Sequence, residues 1–211
     1  LTSLDVIEES GNKIVVKLKG IPIQYANALR RICLSGVPTF AIDDVVIIEN
    51  SSVLADEGVA HRLAMTPLRT DLSRFVEPSA CDCHSELGCS KCRVLLMLDS
   101  GVSDTTRTVT SSDLSSEDEV VKPVSSNIPI IVLAPGQKLK VEAYARLGRG
   151  NEHAKWNSST VAVLTQTNNP EEHILTVETV GNLTPSEVIR AAIDELEKRL
   201  GEFQQTMATL G

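Results

Sequence analysis

Aromatic side chains are scarce in this chain: one Trp, two Tyr and three Phe make up 3% of its 211 residues. The interior must therefore be built from Val, Ile, Leu and Ala, and a surface that stacks unpaired bases on a row of rings is excluded. Positive charge is also in deficit, with 20 Lys and Arg against 28 Asp and Glu for a formal net charge of −8. A sheath of that sign repels phosphate instead of releasing counterions from it, so autonomous DNA binding is not expected. Long apolar runs are missing as well. Stretches such as Val94 to Leu98 stop after five residues, whereas a membrane helix needs about 20. Leu1 to Glu9 has neither the basic start nor the apolar run of a signal peptide, so a cytoplasmic protein is expected.

What is present is an ordinary globular composition, 42% hydrophobic and 23% charged. At roughly 150 residues per domain the length corresponds to about 1.4 domains, one domain with an insertion or two small ones, and excludes a long multidomain enzyme. Leu4 to Glu9 and Lys13 to Lys19 flank Ser10, Gly11 and Asn12 and read as an antiparallel hairpin. Pro22 offers a first-turn position, and Tyr25, Ala28, Leu29, Ile32 and Cys33 then fall on one helical stripe that Gly36 and Pro38 end. Arg30 and Arg31 project off that stripe. Strands are predicted at Phe40 to Glu49, Val94 to Leu98, Leu139 to Leu147, Thr160 to Thr165 and His173 to Val180, and order also returns at Ile128 to Ala134. Asp56 is read as the cap of a short helix through Leu63, and Gly101 to Asn127, rich in Ser, Thr and acid, as a solvated loop or weak hairpin.

The strongest helix comes last. Thr184, Pro185 and Glu187 form a capping box with proline at the first helical position. Ile189, Ile193, Leu196, Leu200, Phe203, Met207 and Leu210 follow at alternating spacings of 4 and 3, a heptad-type seam. Val188, Ala191 and Ala192 widen the first half enough to lie on the chain's own sheet. The second half outruns the chain available to cover it and calls for a partner.

Cys81, Cys83, Cys89 and Cys92 form C-x-C-x5-C-x2-C among polar and small residues. Four thiolates so close can wrap one tetrahedral ion in a closed structural site. Zinc is preferred; an iron–sulfur cluster takes the same four ligands, and two disulfides would need an oxidising compartment. His84 could replace a thiolate but is read as a solvated loop residue, and Cys33 as a small core residue.

Four motifs now come into register: Asn27 to Ile32 (N-A-L-R-R-I) with Ser35 to Pro38; His61-Arg62-Leu63 ahead of Pro67-Leu68; Leu147 to Trp156 (L-G-R-G-N-E-H-A-K-W); and Glu178 to Pro185 (E-T-V-G-N-L-T-P). Together they resemble the alpha-like subunits of DNA-dependent RNA polymerase over nearly the whole chain, most of all the archaeal D-type form. That form is similar to the third-largest subunit of eukaryotic polymerase II and to the N-terminal domain of bacterial alpha. The resemblance implies an α+β fold: a dimerisation domain of sheet plus two helices, residues 1–38 and 160–211, interrupted by a mainly β inserted domain, residues 39–159, with the cysteine metal loop at 81–92 and the solvated loop at 101–127. It implies heterodimerisation with the small subunit L through Tyr25, Leu29, Ile32, Ile193, Leu196, Leu200, Phe203 and Met207. It further implies docking of the two large catalytic subunits through Arg30, Arg31, Arg149, His153, Lys155 and Trp156; the Gly148 and Gly150 turn with Trp156 covering the sheet is the structural alternative for the last group. The cysteine spacing looks more like the eukaryotic zinc loop than an added iron–sulfur segment, and a bacterial-type C-terminal DNA-binding domain is not expected beyond Gly211.

The implied role is a non-catalytic assembly subunit. Asp43-Asp44 and Glu117 to Glu119 read as a strand edge and a solvated loop and not as the clustered carboxylates of a two-metal site, and Gly148-Arg149-Gly150 lacks the rest of a phosphate loop. An independent zinc-containing nucleic-acid-binding module is the alternative, weakened by the net charge. A hydrolase built on His61 or His153 has no nucleophile motif to support it.

Overall fold

Alternation along Lys13–Lys19 becomes a strand with two faces: Ile14, Val16 and Leu18 are buried, while Lys13, Val15, Lys17 and Lys19 stay half-exposed. This is β2 of a computed structural model that describes residues 2–85, 88–169 and 171–209. The chain divides into two units, Leu1–Pro38 with Arg149–Gly211, and Thr39–Gly148. The architecture is α+β, ten strands in antiparallel sheets and three α-helices among the described residues. No helix among them is long and apolar enough to cross a membrane.

In the first unit, β1 (Ser3–Ser10), β2, β9 (Val161–Gln166) and β10 (Glu172–Glu178) form a sheet in the order β1-β2-β10-β9. Gly11, at φ +42°, makes the β1–β2 turn, a conformation open to glycine because it has no Cβ. Helix α1 (Ile23–Ser35) buries Ala26, Leu29, Ile32 and Cys33. Leu29, Ile32 and Cys33 lie inside as the sequence predicts, but in the first turn small Ala26 faces inward and Tyr25 outward, 54% exposed. Pro22 is the residue before the helix, with no side-chain cap. Gly36 ends it by donating its N–H to the Ile32 carbonyl at 2.8 Å.

Helix α3 (Pro185–Ala208) starts on the expected capping box. The Glu187 N–H donates to Thr184 Oγ1 at 3.3 Å, and the Thr184 N–H to Glu187 Oε2 at 2.8 Å. Its first turns bury Val188, Ile189 and Ala192. From there the seam emerges: Ile193, Leu200, Phe203 and Met207 are exposed, and Leu196 is half-buried. Leu210, the last seam residue, lies outside the described residues.

Residues 149–159, expected in the inserted domain, group with this first unit. The reason is polar stitching to the end of α1. Ser35 Oγ donates to Asn151 Oδ1 at 3.0 Å, Arg149 Nη1 to the Gly36 carbonyl at 2.6 Å, and Ser158 and Ser159 both donate to the Cys33 carbonyl.

The second unit holds β3 (Thr39–Asn50), α2 (Asp56–Ala64), β4 (Arg93–Asp99), β5 (Arg107–Thr110), β6 (Leu114–Ser116), β7 (Pro129–Leu133) and β8 (Leu139–Gly148), in one sheet ordered β3-β8-β4-β6 and a small β5-β7 pair. Its core is aliphatic, as the scarcity of rings demands: Ile42, Leu63, Leu68, Leu96, Leu98, Ile130 and Leu139 are fully buried. Phe40 and Phe75 meet edge to face, centroids 4.9 Å apart, in the geometry that ring quadrupoles favour.

Two local expectations are corrected here. The segment from Gly101 to Asn127 is no simple solvated loop, because it contains β5 and β6 and sends Val109, Leu114 and Val121 into the core. These three, scattered among serines and acids, follow no period. Helix α2 is preceded by Ala55 and not capped by Asp56; the Asp56 carboxylate instead accepts from Asn50 Nδ2 at 2.7 Å.

Candidate metal centre and helix surfaces

The cysteine loop leaves a short 3-10 turn at Pro78–Ala80 and returns to the sheet at Cys92, the residue before β4. The Cys92 and Arg93 N–H groups both donate to the Cys89 carbonyl, at 3.0 and 2.9 Å, which folds the C-x2-C half into a tight turn. All four Sγ atoms lie within 4.8 Å of one another. Cys81 to Cys89, Cys83 to Cys92 and Cys89 to Cys92 are 3.7, 3.8 and 3.9 Å apart. A tetrahedral ion with metal–sulfur bonds of about 2.3 Å sets its ligands about 3.8 Å apart, so these edges fit one ion. They exclude disulfides, whose sulfurs sit about 2.05 Å apart; all five cysteines are free.

The electrostatics of the four thiols differ. The Lys91 N–H, donating to Cys89 Sγ at 3.4 Å, is the main cause that lowers the Cys89 thiol to about 7. Burial pushes Cys92 up to about 12. A bound cation would supply the charge that ionises the buried thiols. Gly88, at φ +74°, closes the loop. A Cβ there would stand 3.0 Å from Arg93 Cβ and 3.3 Å from Cys92 Sγ. His84 is exposed and is not in the sulfur group.

Beside the loop, Arg93 reaches Asp44 at 2.6 Å and stacks over Tyr144 at 4.2 Å, while Arg146 reaches Asp43 at 2.6 Å. A bulge in β3 between Ile42 and Asp44 sets this acidic pair. Each carboxylate is thus matched by an arginine. Asp118, in the other acidic run, is a turn residue: burial raises its carboxyl, but the N–H groups of Val121 and Val120 and the Arg74 guanidinium outweigh that and lower it.

On the helices of the first unit, the structure separates the residues singled out by sequence. Leu29 and Ile32 lie inside the unit's own core, each 6% exposed, because α1 turns that side to its neighbours. Tyr25, Ile193, Leu200, Phe203 and Met207 remain on the surface. Arg31 is exposed beside a cavity of about 230 Å³ lined by Ala28, Ser35, Leu196 and Arg199. Arg30 is tied down, its Nε donating to Asn27 Oδ1 at 2.9 Å and its Nη1 to the Ala162 carbonyl at 3.3 Å.

In the H-A-K-W loop the ring lies inside. Trp156 is only 3% exposed. Lys155 lies over its ring at 4.2 Å, and His153 Nδ1 accepts the Lys155 N–H at 3.0 Å to start a 3-10 turn at Ala154–Trp156. Arg149 is held by the Gly36 carbonyl and by Glu195 at 2.8 Å. Sequence reading missed Glu195. Its spacing to Arg199 was visible, but its contact with Arg149 is a product of tertiary packing.

Residues 45–179 match the model of the RNA polymerase Rpb3/RpoA insert domain. The chain is 42% identical over 160 residues to DNA-directed RNA polymerase subunit Rpo3 of Methanosphaera stadtmanae, covering 75% of this chain and 58% of that protein. It is 46% identical over 158 residues to subunit Rpo3 of Pyrococcus furiosus, covering 75% and 57%. With DNA-directed RNA polymerase II subunit rpb3 of Dictyostelium discoideum it shares 41% over 170 residues, covering 75% and 56%. The chain thus spans under two thirds of the length of these relatives. With the matched region running from β3 to the end of β10 and including the four-cysteine loop, the chain belongs to the RNA polymerase Rpb3/RpoA insert-domain family, the alpha-like subunits.

Proposed function

We propose that this protein is a non-catalytic assembly subunit of DNA-directed RNA polymerase, of the archaeal D type, working in the cytoplasm. It pairs with the small subunit L and so builds the platform on which the two large catalytic subunits gather. The observation that carries this reading is the apolar seam of α3: Ile193, Leu200, Phe203 and Met207 stay exposed on a helix whose first turns are buried. An exposed stripe of large apolar residues on a charged, acidic chain is stabilised by a partner helix.

In this reading Tyr25 and the α3 seam meet subunit L, with Leu29 and Ile32 shaping α1 from within. Arg31, exposed beside its cavity, meets a large subunit. The cysteine loop holds one zinc ion whose work is structural, fixing the loop against β4 and β8 through Cys92 and Arg93. The test is the composition of the complex that a tagged chain brings down from cells. Recovery of two large polymerase subunits together with one small alpha-like partner is expected. Recovery of the chain alone, or as a pair of identical copies, overturns the proposal.

A further inference from the structure

The sulfur quartet divides into an accessible side and a buried one. Cys83 is exposed and Cys89 half-exposed, whereas Cys81 and Cys92 are buried. Cys83 Sγ lies 3.8 Å from Cys92 Sγ, and Cys89 Sγ lies 3.7 Å from Cys81 Sγ, so each accessible sulfur has a buried neighbour at near-contact distance. The four also differ in what already holds their lone pairs. Cys92 Sγ accepts the Cys89 N–H at 3.2 Å, and Cys89 Sγ accepts the Lys91 N–H at 3.4 Å. Among the described residues no N–H donates to Cys83 Sγ.

An exposed sulfur with unengaged lone pairs is open to electrophilic oxygen, and a second sulfur within reach carries the oxidation on to a disulfide. Metal ions bind cysteine as thiolate, so a loaded loop presents Cys83 and Cys92 already deprotonated. Cys92 is the better placed to wait: it is shielded by burial and fixed as the residue before β4, its own N–H donating to the Cys89 carbonyl.

We propose that Cys83 is a modification site for hydroperoxides and Cys92 its resolving partner, so that oxidation makes the loop release its ion. This rests on the reading that the loop holds one zinc ion. Cys83 Sγ attacks the peroxide, an S–O bond forming as the O–O bond breaks; with hydrogen peroxide the products are a sulfenic acid and hydroxide. Cys92 Sγ then attacks that sulfur, the S–S bond forms, the S–O bond breaks and a second hydroxide leaves. The two sulfurs give up two electrons in all, and the two peroxide oxygens take them. Cys81 and Cys89 remain, too few to close a tetrahedral site. Excess small thiol reopens the disulfide by exchange, and the reduced loop takes up zinc again.

Cys83→Ser would remove a ligand as well as the modified sulfur, so the unaltered full chain is the one to test. Freed of added thiol, it is treated with hydrogen peroxide in the presence of a chromogenic zinc chelator. Peroxide should speed zinc release about tenfold or more over the untreated chain, with about one disulfide formed per zinc released. Trypsin cuts after Lys91 and leaves Cys92-Arg93 as a dipeptide, and cleavage after Glu86 parts Cys83 from Cys89. Mass spectrometry should find the dipeptide joined to the segment that carries Cys81 and Cys83, with fragmentation assigning the link to Cys83, and buried Cys33 still reduced. Dithiothreitol with added zinc should restore the loaded chain. Zinc retained under peroxide, a link from Cys92 to Cys81 or Cys89, or Cys83 carried to the sulfinic acid without a disulfide overturns this inference and leaves the zinc reading standing. A parent chain that purifies without zinc overturns both.

Discussion

Arg149 Nη1 lies 2.8 Å from Glu195 Oε1 and 2.6 Å from the carbonyl of Gly36, so a single guanidinium closes the C-terminal end of α1 onto the middle of α3. Arg199 shares the same carboxylate at 2.7 Å. A cation at a helix C-terminus also meets the favourable end of its dipole. This knot lies where the resemblance had placed a docking arginine, and it gives Arg149 a folding role.

A pH dependence follows from the knot. Burial raises the Glu195 carboxyl, but Arg199 and Arg149 more than reverse this and hold it below the ordinary value. A depressed acid stabilises the fold above the unfolded value of about 4.3, and that contribution is lost as pH falls through the lower folded value. Glu195→Gln should therefore cost about 1–2 kcal/mol at pH 7, where the ionised side chain makes charge-assisted hydrogen bonds. The gap to the parent chain should close in strong acid. Urea unfolding at pH 7 and pH 3 checks this, and a constant difference would count against the assignment.

Removal of one thiolate should act on the second unit. Cys89→Ser takes away one of the four thiols of the group, and the chain should lose its ion, about one per chain in the parent, as read by elemental analysis. Limited proteolysis should then cut near the loop while α1 and α3 persist. Iron with visible absorbance in the parent would overturn zinc, and loss of both units together would show that the loop is not separable. Gly88→Ala should weaken metal retention in the same direction through its left-handed φ and the nearby Cys92 sulfur.

Leu200→Asp should abolish heterodimer formation without unfolding the chain. Leu200 is 52% exposed, and surface substitutions usually change stability by about 0.5 kcal/mol or less. Light scattering of the pair, with unfolding of the single chain as control, reads both. An unchanged heterodimer mass would remove the α3 seam from the interface.

Trp156→Ala separates packing from docking. A ring so deeply buried should cost about 3–5 kcal/mol when truncated, whereas Lys155→Ala should cost about 0.5–1 kcal/mol, the scale of an exposed cation–π contact. Denaturant unfolding gives both values. A Trp156→Ala chain of full stability that no longer assembles with large subunits would restore the docking role.

The elements most legible in the sequence were those in which one residue pattern carries one geometry. Lys13–Lys19 shows its alternation, Thr184 to Glu187 its capping box, and the four cysteines a spacing that suits a small metal site. The segment from Gly101 to Asn127 was illegible because Val109, Leu114 and Val121 are buried one at a time, without a period. The choice of Ala26 over Tyr25 as the inward residue of the first turn of α1 was equally hidden, since either one can join the face of Leu29 and Ile32.

The sequence by itself determined the acidic charge, the aliphatic core that scarce rings require, the sulfur quartet and the α3 seam, because each depends on local residue types and their spacing. The tertiary structure alone decided where the few rings and fixed charges go. Trp156 went inside, Arg149 was tied to Glu195 and Gly36, Asp43 and Asp44 were matched to Arg146 and Arg93, and His173 was left buried without a partner for Nδ1 among the described residues. Those outcomes depend on which distant segments come within about 3 Å of one another, the range of a hydrogen bond, and pairing at that range is set by packing and sheet register and not by local sequence.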